Sequence, residues 1–302
     1  MRIASVARVR IVSLLPSATE ILFAVGAGDD VMGVTFECDF PEAARSRRIV
    51  STTALPEGLT PSEIDAAVRR RIAAGDDLYT LDEGALRALA PDLVVTQDLC
   101  AVCAVDIKEV DAALEHLGCE ADVLTLDPMT LGEVLGSVVQ VGRRTGHQRE
   151  ADRLVTKLQC RLDAVAAAVA GLDRPRVAML EWTDPPFSSG HWVPDMVAAA
   201  GGCPVLGEAG TRSAEVTWDD VSSTSPDVII VAPCGYRLEG ARQLADELVG
   251  SGRLPRGVPV WAVDADAAFV RPGPRLVDGV EGLAAILHPD VSTWVEGIAV
   301  AV

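Results

Sequence analysis

GHQREADRLVTKLQCRLDAVAAAVA, residues 146–170, contains no proline and no glycine after its first position, and Ala151, Leu154, Val155, Leu158, Leu162, Val165 and Val169 recur along it at helical spacing. The pattern predicts one unbroken helix of about 25 residues, about 37 Å long at 1.5 Å per residue. Gly171 and Pro175 close it. A helix of that length in the middle of a 302-residue chain divides it in three: an N-terminal α/β lobe over 1–145, a linking helix over 146–171 and a C-terminal α/β lobe over 172–302.

On both sides of the helix, short apolar runs alternate with helical patterns. Strands are expected over 9–15, 31–34, 93–96 and 121–124, with helices over 17–26, 61–74, 82–90, 107–117 and 131–144. Downstream the strands fall over 177–180, 228–231 and 259–263, and the helices over 194–200, 218–224, 240–248 and 274–287. Strands separated by helices imply parallel βαβ units. The expected fold is therefore α/β, with two Rossmann-like lobes of parallel sheet joined by one long rigid α-helix. A continuous helix resists bending, so little closure of one lobe on the other is expected. Ligands of open α/β sheets sit beyond the carboxyl ends of the strands, which predicts a ligand cleft between the lobes, lined by their strand-to-helix turns.

The charge balance narrows the partners. With 26 basic against 44 acidic residues the net charge is −18, which repels nucleic-acid phosphates and anionic lipid. The basic runs at Arg45, Arg47, Arg48 and at Arg69–Arg71 are short, flanked by acids and read as solvated helix faces. No stretch reaches the roughly 18 uninterrupted apolar residues of a membrane span, so no membrane insertion is expected. Seven cysteines, an odd number without small-scaffold spacing, suit free thiols in a reducing compartment. The first apolar stretch is broken by Pro16 and Glu20 and reads as a strand, not a signal peptide. These features give a cytoplasmic expectation, with an extracytoplasmic location the alternative if the start is trimmed.

Chemistry-bearing residues gather in the expected turns. Ser13, Pro16 and Ser17 follow the first strand; Phe36, Glu37 and Cys38 follow the second; Asp98, Cys100 and Cys103 follow the strand at 93–96. In the C-terminal half, Trp182, Pro186, Phe187, His191 and Trp192 share one turn, and Phe269 and Arg271 follow the last strand. Aromatics are only 4% of the chain, so three in one turn suggest a wall for a large, flat, amphipathic ligand. Trp261, inside a strand, is expected in the core, and Trp294 is expected to anchor the C-terminal tail.

Cys100 and Cys103 admit four readings. At a helix start the dipole favours a thiolate, which permits redox chemistry. With Cys38 and His191 they make a conceivable metal set. They also suit packing beside a pocket, or a soft contact, from a thiol or His191, to the metal of a bound chelate. There is no nucleophile elbow, no phosphate-cradling glycine loop and no paired-carboxylate or His-Glu helix motif. Gly26 and Gly28 follow a helix and stop it. The chain reads as a binding protein that needs no cofactor, with a metal-binding or thiol-redox enzyme using Cys100 and Cys103 as the alternative.

Five segments then carry a resemblance: IVSLLPSATEILFAVG over 11–26, DFP ending at Pro41, LAPDLVV ending at Val95, DPPFSSG ending at Gly190, and RPGPR over 271–275. In this order around the long helix they resemble the cobalamin-binding branch of the class III substrate-binding proteins of ABC importers, a family that also captures siderophores and haem. The likeness spans about residues 9 to 288. It implies a cobalamin-like corrinoid as ligand, with a ferric siderophore or haem the alternative, and an ABC permease as partner. It also implies that the turn from Ser13 to Ser17 approaches the corrin and that Phe187, Trp218 and Arg271 line the pocket. Glu37 stands where relatives often carry an aromatic ring. Gly84 and Thr224 stand where docking relatives present glutamates, with Glu83, Asp219 and Asp220 nearby.

Overall fold

The alternation of strands and helices is realised in the structure, a computed structural model that describes residues 9–97, 114, 121–290 and 297–302. Two compact units share the chain. The first takes in Met1–Leu59, Ala66–Asp127 and Ser137–Leu154, and the second Thr60–Asp65, Pro128–Gly136 and Val155–Val302. The linking helix runs as Gln148–Ala168, so the change of unit falls inside it, between Leu154 and Val155.

In the first unit, strands β1 (Ile11–Ser13), β2 (Val31–Thr35), β3 (Arg48–Thr53), β4 (Tyr79–Leu81), β5 (Leu93–Thr96) and β6 (Asp122–Thr125) form a sheet in the order β4-β3-β2-β1-β5-β6. All neighbours are parallel except β3 and β4. Every residue of β1 and β5 is buried, as expected of strands covered on both faces, and this is why both are apolar up to the hydroxyl residue, Ser13 or Thr96, at their carboxyl end. After β1 the chain adds β2 and β3 on one side and later β5 and β6 on the other. In open α/β sheets ligands bind at such a reversal, here beyond the carboxyl ends of β1 and β5.

In the second unit, β7 (Arg176–Thr183), β8 (Pro186–Ser188), β9 (Cys203–Pro204), β10 (Val228–Val231), β11 (Val260–Val263) and β12 (Ala299–Ala301) run in the order β12-β11-β10-β7-β8, with β9 also on β7. Strands β7, β10 and β11 are parallel, and β8 and β12 are antiparallel additions. Here the reversal lies at β7, which has β10 on one edge and the parallel β9 on the other. Ala178, Leu180, Ile229, Val231 and Ala262 form the centre of its core. Arg161 on the linking helix donates to Glu281 and Asp278 of helix Leu276–Leu287 at 2.6–2.8 Å, fastening the two helices within this unit.

Both units start their central strand pair with the same device. The backbone N–H of Arg10 donates to Asp92 at 2.8 Å and that of Arg176 to Asp227 at 2.7 Å, each aspartate lying between a proline and the neighbouring strand. The carboxylate takes up an N–H that the ladder would leave unpaired at the strand end. Hydrogen bonds from the Arg10 side chain, then from its backbone, hold the Asp92 pKa down at about 2.

Several expectations need correction. Arg48, read as part of a helix face, opens strand β3, and Arg45 lies in the short 3-10 helix Glu42–Ser46. Strands β3, β4, β8, β9 and β12 have no counterpart in the sequence reading; most are two- or three-residue strands at a sheet edge, too short to show a period. The segment expected as a turn after residue 180 instead prolongs β7 to Thr183 and folds back as β8. Trp261 is half-buried on β11. The expected helix over 107–117, and Trp294, lie outside the described residues apart from Leu114.

Candidate functional site

At the carboxyl edge of the first unit, the turn leaving β1 is stitched by hydroxyls. Ser13 Oγ donates to the Leu15 carbonyl at 3.2 Å and accepts from Thr19 Oγ1 at 2.8 Å, and Thr19 Oγ1 lies 3.0 Å from Cys38 Sγ. Pro16 is the first residue of helix Pro16–Ala24, where its missing N–H and fixed φ cost nothing. Ser13, Pro16, Ser17 and Cys38, all expected to line the cleft, are buried. They shape the turn. Among the described residues, the buried Ser17, Thr35 and Ser51 hydroxyls have no hydrogen-bond partner.

Beyond β2 the chain presents side chains outward. Phe36 is 38% exposed, Phe40 is 44% exposed, and Glu37 is half-buried between them. The Tyr79 hydroxyl donates to Glu37 Oε2 at 3.2 Å, and the Tyr79 ring lies 6.3 Å from that of Phe36 at an interplanar angle of 48°. Tyr79 reaches this edge because β4 is antiparallel: its first residue pairs with Thr53, the last of β3. That partnership is not legible in the sequence, since Tyr79 stands on a three-residue edge strand too short to show a period.

In the second unit, β7 and β8 form a hairpin in which Trp182 pairs with Phe187 and Thr183 with Pro186. The Trp182 indole N–H donates to the Asp184 carbonyl at 3.2 Å, and the ring meets Tyr236 edge-on, centroids 5.9 Å apart. Tyr236, on the loop after β10, accepts at its carbonyl from the N–H of Asp266 in the short helix Ala265–Ala268 that follows β11. Asp266 in turn takes two hydrogen bonds from Arg271, at 3.0 and 2.6 Å, and both side chains are largely buried. Trp182, Phe187, Pro186, Tyr236 and Arg271 thus share the carboxyl edge of this sheet. Tyr236 was missed because nothing local connects it to Trp182, fifty-four positions away.

Two expected wall residues belong to the core instead. Trp192 is 6% exposed and Phe269 is 0% exposed. Trp218 opens helix Trp218–Ser223, half-buried against the core of the second unit, behind a capping box made by Thr217 and Asp220. Hydrogen bonds from the backbone and then the side chain of Thr217 lower the Asp220 pKa. Gly84 lies in helix Glu83–Leu89 and Thr224 caps the end of Trp218–Ser223, with Glu83 and Asp219 exposed beside them.

His191 sits at φ +52°, its N–H donating to Thr211 at 2.5 Å and its carbonyl accepting from Gly210 at 3.0 Å. Segment 186–191 is thereby laced to 210–216, and a Cβ at Gly190 would collide with the backbone of Thr211, Arg212 and Ser213. Glu181 braces the lacing, accepting from Gly190 N–H at 3.0 Å and from the Ser213 hydroxyl. Burial, then the charge of Arg212, lowers the His191 pKa, and the buried Nε2 has no partner among the described residues. Asp98, Cys100 and Cys103 lie outside the described residues, and among the described residues no group of three or more His, Cys, Asp or Glu side chains is placed to hold a metal ion. Cys160, Cys203 and Cys234 are free thiols, and no helix among the described residues is long and apolar enough to cross a membrane.

Comparison with known proteins agrees with this geometry. An uncharacterised ABC transporter substrate-binding lipoprotein of Bacillus subtilis is 26% identical over 291 residues, 93% of this chain and 80% of its own. A vitamin B12-binding protein of Yersinia pestis is 24% identical over 271 residues, 89% of this chain and 82% of its own. The solved structure of a periplasmic haem-binding protein from Pseudomonas aeruginosa superposes with a TM-score of 0.69 at 18% identity, covering 97% of each chain. The family model described as periplasmic binding protein matches residues 11–253, and with that match added to two α/β units whose aromatic side chains gather at the carboxyl edges of their sheets, the chain belongs to the periplasmic binding protein family.

Proposed function

We propose that this protein is the substrate-binding component of an ABC importer and that its cargo is a corrinoid of the cobalamin type. The observation that carries the reading is the presence, at the carboxyl edge of each sheet, of an aromatic contact that reaches the surface: exposed Phe36 backed by buried Tyr79 in one unit, half-buried Trp182 with half-buried Tyr236 in the other. A large ring bearing both apolar faces and polar substituents is the ligand such surfaces suit. The B12-binding relative supports the corrinoid, and the Bacillus lipoprotein supports both an ABC permease partner and a site of action outside the cytoplasm, in place of the cytosolic expectation. The corrinoid is cargo and not a cofactor, and no catalytic step is assigned to the chain.

Absorption titration of the purified protein tests the reading. Cyanocobalamin, a ferric siderophore and haemin are added in turn, and a saturable shift of the corrin bands at one equivalent per chain is expected. Saturation by haemin or the siderophore with no response to cyanocobalamin would replace the corrinoid as cargo.

A further inference from the structure

Helix Leu238–Ser251 carries two glycines, Gly240 and Gly250, at positions where alanine is the better helix former. They differ in what a methyl group would meet. At exposed Gly250 a Cβ has nothing within 4 Å among the described residues. At Gly240, in the first turn, it would lie 2.9 Å from Tyr236 Cδ1 and 3.8 Å from Cβ and Cε1 of the same side chain, so the place of the missing Cβ is taken by the Tyr236 ring.

The loop that carries Tyr236 is tied down by its backbone. Ala232 N–H on the Leu180 carbonyl at 2.8 Å and Cys234 N–H on the Glu181 carbonyl at 3.1 Å continue the pairing of β10 with β7 up to the residue before Trp182. Tyr236 N–H closes a turn on the Pro233 carbonyl at 3.1 Å, and the Tyr236 carbonyl accepts from Asp266 N–H at 3.1 Å. With the backbone so held, the course of the ring is left to its side-chain torsions. It lies against the first turn of the helix and meets the Trp182 indole at an interplanar angle of 63°. A side chain at position 240 closes that course. The helix turn is itself hydrogen-bonded, Ala241 N–H on the Arg237 carbonyl at 2.9 Å, so the tyrosine ring is the part that must move.

We propose that Gly240 and Tyr236 act together as positioning residues for Trp182: the glycine admits the tyrosine ring, and the ring holds the indole in the orientation it presents to cargo at the carboxyl edge of the second sheet. The inference rests on the reading of Trp182 as part of the cargo surface. An indole already set in place has less freedom to lose when a flat ring stacks on it, so its orientation before binding contributes to affinity.

The test uses the whole chain labelled with 5-fluorotryptophan, in which the Trp182 fluorine resonance is identified by its loss in Trp182→Phe. Gly240→Ala is expected to shift that resonance in the protein without ligand. It should also weaken cyanocobalamin binding, followed by absorbance, about two- to tenfold, the range set by the worth of one aromatic contact. Gly250→Ala, the same change in the same helix with open space around it, should alter neither. Tyr236→Ala removes the ring, and in that background Gly240→Ala should have no further effect on resonance or binding. A Trp182 resonance or a dissociation constant in Gly240→Ala equal to the native one, or equal effects of the two glycine substitutions, overturns the inference and leaves the corrinoid reading standing. No response of the native protein to cyanocobalamin overturns the corrinoid reading and, with it, the role in cargo binding inferred here.

Discussion

Trp192 donates its indole N–H to the backbone carbonyl of Phe269 at 2.7 Å, and both residues are buried. This single bond joins the start of helix Val193–Ala199 to the loop after β11 within the second unit. Ten residues earlier, Trp182 lies on the hairpin β7–β8 with part of its surface exposed. Two tryptophans ten positions apart, one on β7 and one at a helix start, therefore have different work, and substitution should separate them.

Trp192→Phe keeps most of the apolar volume and leaves the Phe269 carbonyl without its donor, so a loss of about 1–3 kcal/mol of stability is expected. Trp192→Ala adds a cavity and should cost about 3–5 kcal/mol. Urea unfolding monitored by circular dichroism checks both, and unfolding midpoints equal to the native one would remove Trp192 from the core.

Phe187→Ala should act on the ligand. Phe187 is half-buried, opposite Trp182 on the hairpin and bridged through its backbone to Glu215. Truncation is expected to weaken corrinoid binding by about 1–3 kcal/mol with the unfolding midpoint nearly unchanged. An unaltered dissociation constant would exclude this hairpin from the binding surface.

His191 should make the protein less stable in mild acid. Its folded pKa is below the ordinary value of 6.5, so as pH falls the unfolded chain takes up the proton first. The contribution is fully present above the unfolded pKa, declines as pH drops through about 6.5, and levels off only below the folded pKa. His191→Asn, chosen because asparagine tolerates the left-handed backbone at φ +52°, should flatten the melting temperature between pH 7.5 and 5.5. A slope as steep in the variant as in the native protein would assign the pH dependence to other groups.

Arg161→Met should loosen the helix pair that Arg161 fastens. The change leaves Asp278 and Glu281, each about one-third exposed, facing each other without their cation. A loss of about 1–3 kcal/mol is expected, smaller at high salt as the remaining repulsion is screened. Chemical unfolding at 0.05 and 0.5 M salt measures both effects; equal stability of variant and native protein at low salt would make this triad a surface ornament.

The sequence alone determined the two α/β halves, the helix between them and the positions of most central strands. Strands buried on both faces, such as Leu93–Thr96 and Val228–Val231, are apolar except for the closing Thr96, and the long helix repeats every three or four residues; both patterns are local and survive without neighbours. It also singled out Trp182 and Phe187, because aromatics are rare in this chain and these fall beside a strand end. Only the tertiary structure decided that Trp192 and Phe269 turn inward, since the hairpin at 184–185 and the helix start at 193 send side chains of one loop in different directions. The pairings of Tyr79 with Glu37, forty-two positions apart, and of Tyr236 with Trp182 were likewise hidden from the sequence. They arise from strand register and from loops meeting at a common sheet edge, and neither leaves a mark on the residues adjacent in the chain.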